Sequence, residues 1–174
     1  MINFKRLKIP DLLLIEPQVF NDERGLFFES FNQKDFEEAV GRKEINFVQD
    51  NHSKSSQGVL RGIHYQKEPF EQAKLVRVIQ GEVWDVAVDI RENSSTYGQW
   101  VGDILSAENK KQFWIPEGFG HGFYVLSETA ELVYKVNQFY SKEHEKTIHW
   151  KNNSFNIDWP VKNDKVLLSQ KDDV

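Results

Sequence analysis

The sequence predicts an all-β fold, a sandwich or jelly roll built from many short strands. Three observations carry this. Short apolar runs rich in β-branched and aromatic residues recur between turn signals. Helix signals are sparse. Aromatics reach 13% of the 174 residues, with thirteen Phe and five Trp, and such rings suit both β-rich cores and ligand pockets. The length fits one domain over 1–174, large enough to bury a real core. An immunoglobulin-like sandwich would normally carry a Cys pair, and this chain has no Cys.

In chain order, the strand candidates are 12–15, 27–31, 47–51, 73–80, 82–90, 112–115, 122–126 and 131–140. The run from Glu82 alternates: Trp84, Val86, Val88 and Ile90 share one face, and Val83, Asp85, Ala87 and Asp89 the other. Gly81 separates it from the preceding run, which predicts a hairpin. One short helix is expected to begin at Asn32, with Asp35 three residues on in the manner of a capping box. Phe36, Ala39 and Val40 supply its apolar stripe and Gly41 its stop. A further helical turn is predicted over 106–111, and the C-terminal residues read as a surface tail.

The formal net charge is -5 and no region concentrates Lys and Arg, so nucleic acid is not an expected partner. Without Cys, a disulfide framework and a thiolate nucleophile are excluded. Residues 1–10 carry Lys5, Arg6 and Lys8 but not the apolar run of a signal peptide. No stretch reaches the roughly 20 apolar residues of a membrane-spanning helix. A cytoplasmic location is expected.

The densest chemistry lies between Gln49 and Lys74. It reads Gln-Asp-Asn-His-Ser at 49–53, Leu-Arg-Gly-Ile-His-Tyr-Gln at 60–66 and Gln-Ala-Lys at 72–74. On an extended chain Gly62, His64 and Gln66 share a face, and Gly62 would leave room beside His64. A histidine titrates at ~6.5, which suits a general base; a core histidine with both nitrogens satisfied is the plainer alternative. The neighbouring Arg61, Gln66, Gln72 and Lys74 favour a pocket wall. Lys74 could stabilise a developing enolate or snorkel from its strand end. The segment 115–123 sets Gly118, Gly120 and Gly122 around His121, a pattern that suggests a binding loop. On the last long strand candidate, Leu132, Tyr134, Val136 and Tyr140 share a face; Tyr134 could donate a proton and Tyr140 could stack on a flat base. His52, His64 and His121 show no metal-ligand spacing. The chain has no serine-nucleophile elbow, P-loop or dinucleotide fingerprint.

Taken together, these segments resemble the dTDP-4-dehydrorhamnose 3,5-epimerase family. The resemblance runs through Phe-Asn-Asp-Glu-Arg-Gly-Leu-Phe-Phe-Glu at 20–29, then 49–53, 60–66, 72–76, 81–91 and 115–123. It continues in Tyr134-Lys135, Ile157-Asp158-Trp159-Pro160 and 168–172. It implies a cupin-type double-stranded β-helix (jelly roll), a homodimer, and a nucleotide-sugar substrate handled with no metal and no other cofactor. It implies His64 as base, Asp172 as the acid that orients it, Lys74 beside the keto oxygen and Tyr134 as proton donor. Arg24, Glu29, Gln49, Asp50, Asn51, Arg61, His121, Tyr140, Glu145 and Lys171 fall at substrate-contact positions, with Tyr140 stacking on thymine. The implied reaction is epimerisation at carbons 3 and 5 of a 4-keto-6-deoxy sugar. Single-carbon epimerases, a non-catalytic sugar-nucleotide binder and a metal-dependent cupin enzyme are the competing readings. Gly120 stands where the pattern has Ala, Ile63 where Leu is common and Thr147 where Gly is common.

Overall fold

Alternating apolar residues assemble two facing antiparallel sheets in the computed structural model, which describes residues 3–161 and 166–173. The larger sheet runs β1 (Asn3–Arg6), β2 (Leu13–Glu16), β10 (Gln112–Ile115), β7 (Lys74–Gln80), β12 (Thr129–Val136), β5 (Gln49–Ser56). The smaller runs β13 (Glu145–Thr147), β6 (Leu60–Gln66), β11 (Phe119–Val125), β8 (Glu82–Asp89), β9 (Trp100–Ser106). A separate hairpin pairs β3 (Val19–Asp22) with β4 (Gly25–Phe28). This is the expected jelly roll. No helix among the described residues is long and apolar enough to cross a membrane.

The main core lies between the sheets. Val76, Val78, Phe113 and Leu132 enter from the larger sheet, and Val83, Ala87, Leu105 and Phe123 from the smaller. Each large apolar side chain buried this way contributes roughly 1.5–3 kcal/mol. On β8 the inward face is therefore the one that also carries Asp85 and Asp89, both fully buried.

A second cluster sits outside the larger sheet, under α1 (Gln33–Val40). The helix starts and stops where its sequence says. Asn32 Oδ1 accepts from the Lys34 and Asp35 amides at 3.0 and 3.3 Å, and Gly41 closes the end at φ 74°. Phe36 and Ala39 are buried, and the Phe36 ring meets Trp114 edge-on at 5.0 Å.

Several expectations are corrected. β7 and β8 do not form a hairpin: they belong to different sheets, and Gly81 (φ 75°) turns the chain from one to the other. A Cβ at Gly81 would lie 2.0 Å from the Thr129 carbonyl oxygen. Segment 106–111 is a turn, not a helix, closed by reciprocal Ser106–Asn109 hydrogen bonds of 2.9 and 3.1 Å. β12 ends at Val136 because Asn137 leaves the sheet to accept from the Ala73 amide at 2.7 Å; Tyr140 therefore lies beyond the strand. In segment 115–123, residues 119–123 are buried strand rather than a loop; Gly120 and Gly122 serve close packing, and Gly118 (φ 80°) makes the turn before them. Strands β1, β3, β6, β9 and β13 are additional to the expected set.

Candidate active site

Chain pairing brings the candidates to the space between the sheets. On β6, His64 pairs in register with His121 of β11 and with Thr147 of β13. This close approach explains Gly62. It does not leave the room beside His64 that the sequence suggests. A Cβ there would lie 2.6 Å from both Gly122 Cα and the His121 carbonyl oxygen, so only hydrogen lets β6 and β11 meet.

His64 Nε2 is hydrogen-bonded to Asp172 Oδ1, 108 residues away. The carboxylate thereby fixes the ring through Nε2, a geometry that would leave Nδ1 free to act as a base. The tail arrives by backbone bonds, with the Leu60 amide donating to the Leu167 carbonyl at 3.1 Å and the Leu167 amide to the Gly58 carbonyl at 2.8 Å. Ser169 Oγ donates to Asp172 Oδ2 at 2.8 Å. Burial opposes charge on Asp172, but the bonds from His64, Ser169 and the Gly62 amide together hold its carboxyl below its ordinary value.

The opposite sheet supplies Lys74 and Tyr134. Lys74 is 7% exposed, with Nζ 3.4 Å from the His64 carbonyl oxygen. Burial pushes its pKa down from 10.5 to about 8, against the attraction of Asp85 and Glu145. Tyr134 is inward, half-buried and packed on the main core. Burial raises its phenol pKa above the ordinary value despite Arg61 nearby, so it stays protonated at neutral pH. His121 Nε2 bonds both oxygens of Asp85 at 2.9 and 3.0 Å. Burial lowers the His121 pKa, against the pull of Asp85, and so favours the neutral ring.

Polar groups ring this interior. Arg61 Nε donates to Ser55 Oγ at 3.0 Å. Gln49 Nε2 donates to Asn51 Oδ1 at 2.8 Å, and Gln49 Oε1 accepts from the Tyr140 amide at 3.1 Å. Glu145 accepts from Lys171 Nζ at 2.5 Å and from the Tyr140 hydroxyl at 3.0 Å. The Tyr140 ring is left half exposed. The arrangement offers a base, a neutral proton donor and a buried cation around one space.

The sequence profile described as dTDP-4-dehydrorhamnose 3,5-epimerase matches residues 6–174. The chain belongs to this epimerase family. It is 66% identical over 171 residues to the dTDP-4-dehydrorhamnose 3,5-epimerase of Shigella flexneri, spanning 98% of this chain and 93% of that protein. It is 60% identical over 167 residues to the enzyme of the same name from Pseudomonas aeruginosa, at 96% and 91% coverage. The crystal structure of the dTDP-6-deoxy-D-glucose-3,5-epimerase of Legionella pneumophila Philadelphia 1, in complex with dTDP-4-keto-L-rhamnose, superposes with a TM-score of 0.95. The two are 53% identical, with 99% of this chain and 90% of that chain covered.

Not every family position gathers here. Asp50 lies on the outer side of β5, exposed and bonded to Lys135 at 3.0 Å. Strand alternation puts it opposite to Gln49 and Asn51. Arg24 sits on the β3–β4 hairpin with its guanidinium forked onto Asp22, and Glu29 accepts from Asn32 Nδ2 at 2.8 Å. His52 bonds Glu131 on the exposed side at 2.9 Å. Gln66 and Gln72 are not pocket walls: Gln66 donates to the Phe70 carbonyl at 2.6 Å and Gln72 to the Gln138 carbonyl at 2.8 Å, tying loops together. A separate cavity of about 450 Å3 lies against the outer sheet face near Phe31, Arg77 and Lys135. Asp50, Asn51 and Tyr134 also line it, whereas His64, Lys74, His121 and Asp172 do not. Asp85, Ser55 and Ser169 escaped the sequence reading. Asp85 could have been flagged, as an acid within an apolar strand face.

Proposed function

We propose that the chain epimerises carbons 3 and 5 of dTDP-4-dehydro-6-deoxy-D-glucose, yielding dTDP-4-dehydro-L-rhamnose for dTDP-rhamnose biosynthesis. The observation that carries the reading is the His64–Asp172 pair on one side of a space that Lys74 and Tyr134 enter from the other sheet. The keto group at carbon 4 acidifies the hydrogens on carbons 3 and 5. His64 Nδ1 takes one of them. The electron pair moves onto the keto oxygen, and the Lys74 ammonium stabilises the enolate. Asp172 stabilises the imidazolium that forms. Tyr134 returns a proton to the opposite face; solvent then reprotonates the tyrosinate and takes the proton from the His64 imidazolium. The second carbon follows by the same steps, so stereochemistry inverts twice with no change of redox state.

We assign Arg61, Gln49, Asn51, His121, Tyr140, Glu145 and Lys171 to holding the nucleotide sugar, with the planar guanidinium of Arg61 suited to the diphosphate. Arg24 and Glu29 fit the same role across a homodimer. The hairpin that bears Arg24 exposes Phe20, Leu26 and Phe27 at 55%, 51% and 70%, and a second copy would cover them. Asp50 has the weakest case, since its carboxylate faces Lys135. A cytoplasmic enzyme of one domain fits this substrate.

The test is incubation with dTDP-4-dehydro-6-deoxy-D-glucose in deuterated water, followed by NMR of the sugar protons. Deuterium entering at carbons 3 and 5 is expected. Entry at one carbon would make the chain a single-position epimerase. Binding without entry would make it a sugar-nucleotide binder.

A further inference from the structure

The space between two β-sheets is a costly place for charge. Three ionisable groups share it here: Lys74, Asp85 and His121 are 7%, 0% and 6% exposed. Asp85 enters from β8 on the face that sends Val83 and Ala87 into the core. Its hydrogen-bond partner is His121, at 2.9 and 3.0 Å. Burial favours the neutral form of that imidazole, which orients the carboxylate without cancelling its charge. Lys74 enters from β7 on the opposite sheet and makes no ion pair within 4.0 Å among the described residues. Printed contacts aside, the chain of neighbours is direct: Lys74 Nζ lies 3.4 Å from the His64 carbonyl oxygen, His64 pairs in register with His121, and His121 holds Asp85, so a buried carboxylate and a buried amine without an ion pair are neighbours in one stretch of the interior.

The other charges facing Lys74 are committed elsewhere. On β13, Glu145 is held by Lys171 and Tyr140. On the tail, Asp172 is held by His64 and Ser169. Lys171 opposes charge on Lys74, and on β6 and β11 His64 and His121 carry no negative charge to balance it.

We propose that Asp85 is a positioning residue whose carboxylate, aimed by His121, is the counter-charge that keeps the Lys74 ammonium protonated between the sheets. Lys74 stabilises an enolate oxygen only as a cation. Asp85 then sets the upper pH limit of the reaction without touching the sugar. The purpose rests on the epimerase reading; the charge coupling itself does not.

The test follows the Lys74 side-chain resonance by NMR across pH in protein carrying 13C-labelled lysine, assigned with Lys74→Arg. The parent resonance is expected to titrate near about 8. In Asp85→Asn, which keeps the shape and an acceptor for His121, it should titrate at least about one pH unit lower. The alkaline limb of kcat/KM should fall by the same interval, and in the Lys74→Arg background that shift should vanish. An unmoved Lys74 resonance overturns the proposal. So does a Glu145→Gln variant that moves it as far as Asp85→Asn. If Asp85→Asn fails to fold, the parent decides: the Asp85 carboxyl carbon must show an inflection at the pH where Lys74 titrates, and a flat curve sinks the idea. The resonance is read without turnover, so a chain that bound nucleotide sugar but failed to epimerise it would still give an answer.

Discussion

Replacing Lys74 with Met should make this protein more stable and nearly inactive. Met matches the length of the lysine stem and fills the same buried place on β7, in register with Ile115 and Val136, without the ammonium. Burial lowers the Lys74 pKa from 10.5 to about 8. A gap of about 2.5 pH units at about 1.36 kcal/mol each gives about 3 kcal/mol. That figure already contains the attraction of Asp85. Below pH 8 the amine is charged in folded and unfolded chains alike, and only the folded chain bears the desolvation. Above pH 10.5 it is neutral in both, and the cost is gone. Lys74→Met should therefore gain up to about 3 kcal/mol in urea unfolding at neutral pH, at matched protein concentration. The advantage should shrink steadily between pH 8 and 10.5. Turnover should fall by about 10²–10³-fold through loss of the charge that stabilises the enolate. A Met variant no more stable than the parent at neutral pH would refute the reasoning, and so would an advantage that persists unchanged above pH 10.5.

Three other expectations follow from named contacts. Asp172→Asn keeps the reach to His64 but removes the charge that stabilises its protonated ring; exchange rates measured in deuterated water should drop by about 10²-fold or more, with dTDP affinity in calorimetry near the parent's. Tyr134→Phe should still wash deuterium into the sugar while losing most of the epimerised product, and a product yield equal to the parent's would remove Tyr134 as the donor. Gly120→Ala places a methyl 2.4 Å from Ile63 Cγ2 and should cost about 1–3 kcal/mol. Adding Ile63→Leu removes that branch and should restore most of the loss, so chemical unfolding of the single and double variants checks whether the two departures from the family pattern are coupled.

That coupling shows where the sequence reading stopped. Gly120 reads as part of a binding loop because three glycines around a histidine look like a turn. Its neighbours Ile63 and Val88 come from two flanking strands, 57 and 32 residues away, and no local pattern announces them. Gly62 was misread for the same reason, since what fills its face is the backbone of β11. Gly81 was read as a hairpin turn, whereas it marks a crossing between sheets. Strand β6 does not announce itself in the sequence, because Arg61, His64 and Gln66 interrupt its apolar pattern. Each side chain has its own partner in the folded chain.

The sequence by itself determined the class of fold, the short helix from its Asn32 cap to its Gly41 stop, and the family, through blocks of residues spread along nearly the whole chain. Local rules suffice there: strand alternation, capping chemistry and turn residues act within a few positions. Only the tertiary structure decided which face of β8 turns inward, and hence that Asp85 is buried against His121. It alone hung Asp172 on His64 and put Lys74 from one sheet beside the other. Those contacts join residues 10 to 108 apart in sequence. They exist because two sheets must close over one core, and closure sets the partners of every inward polar group at once.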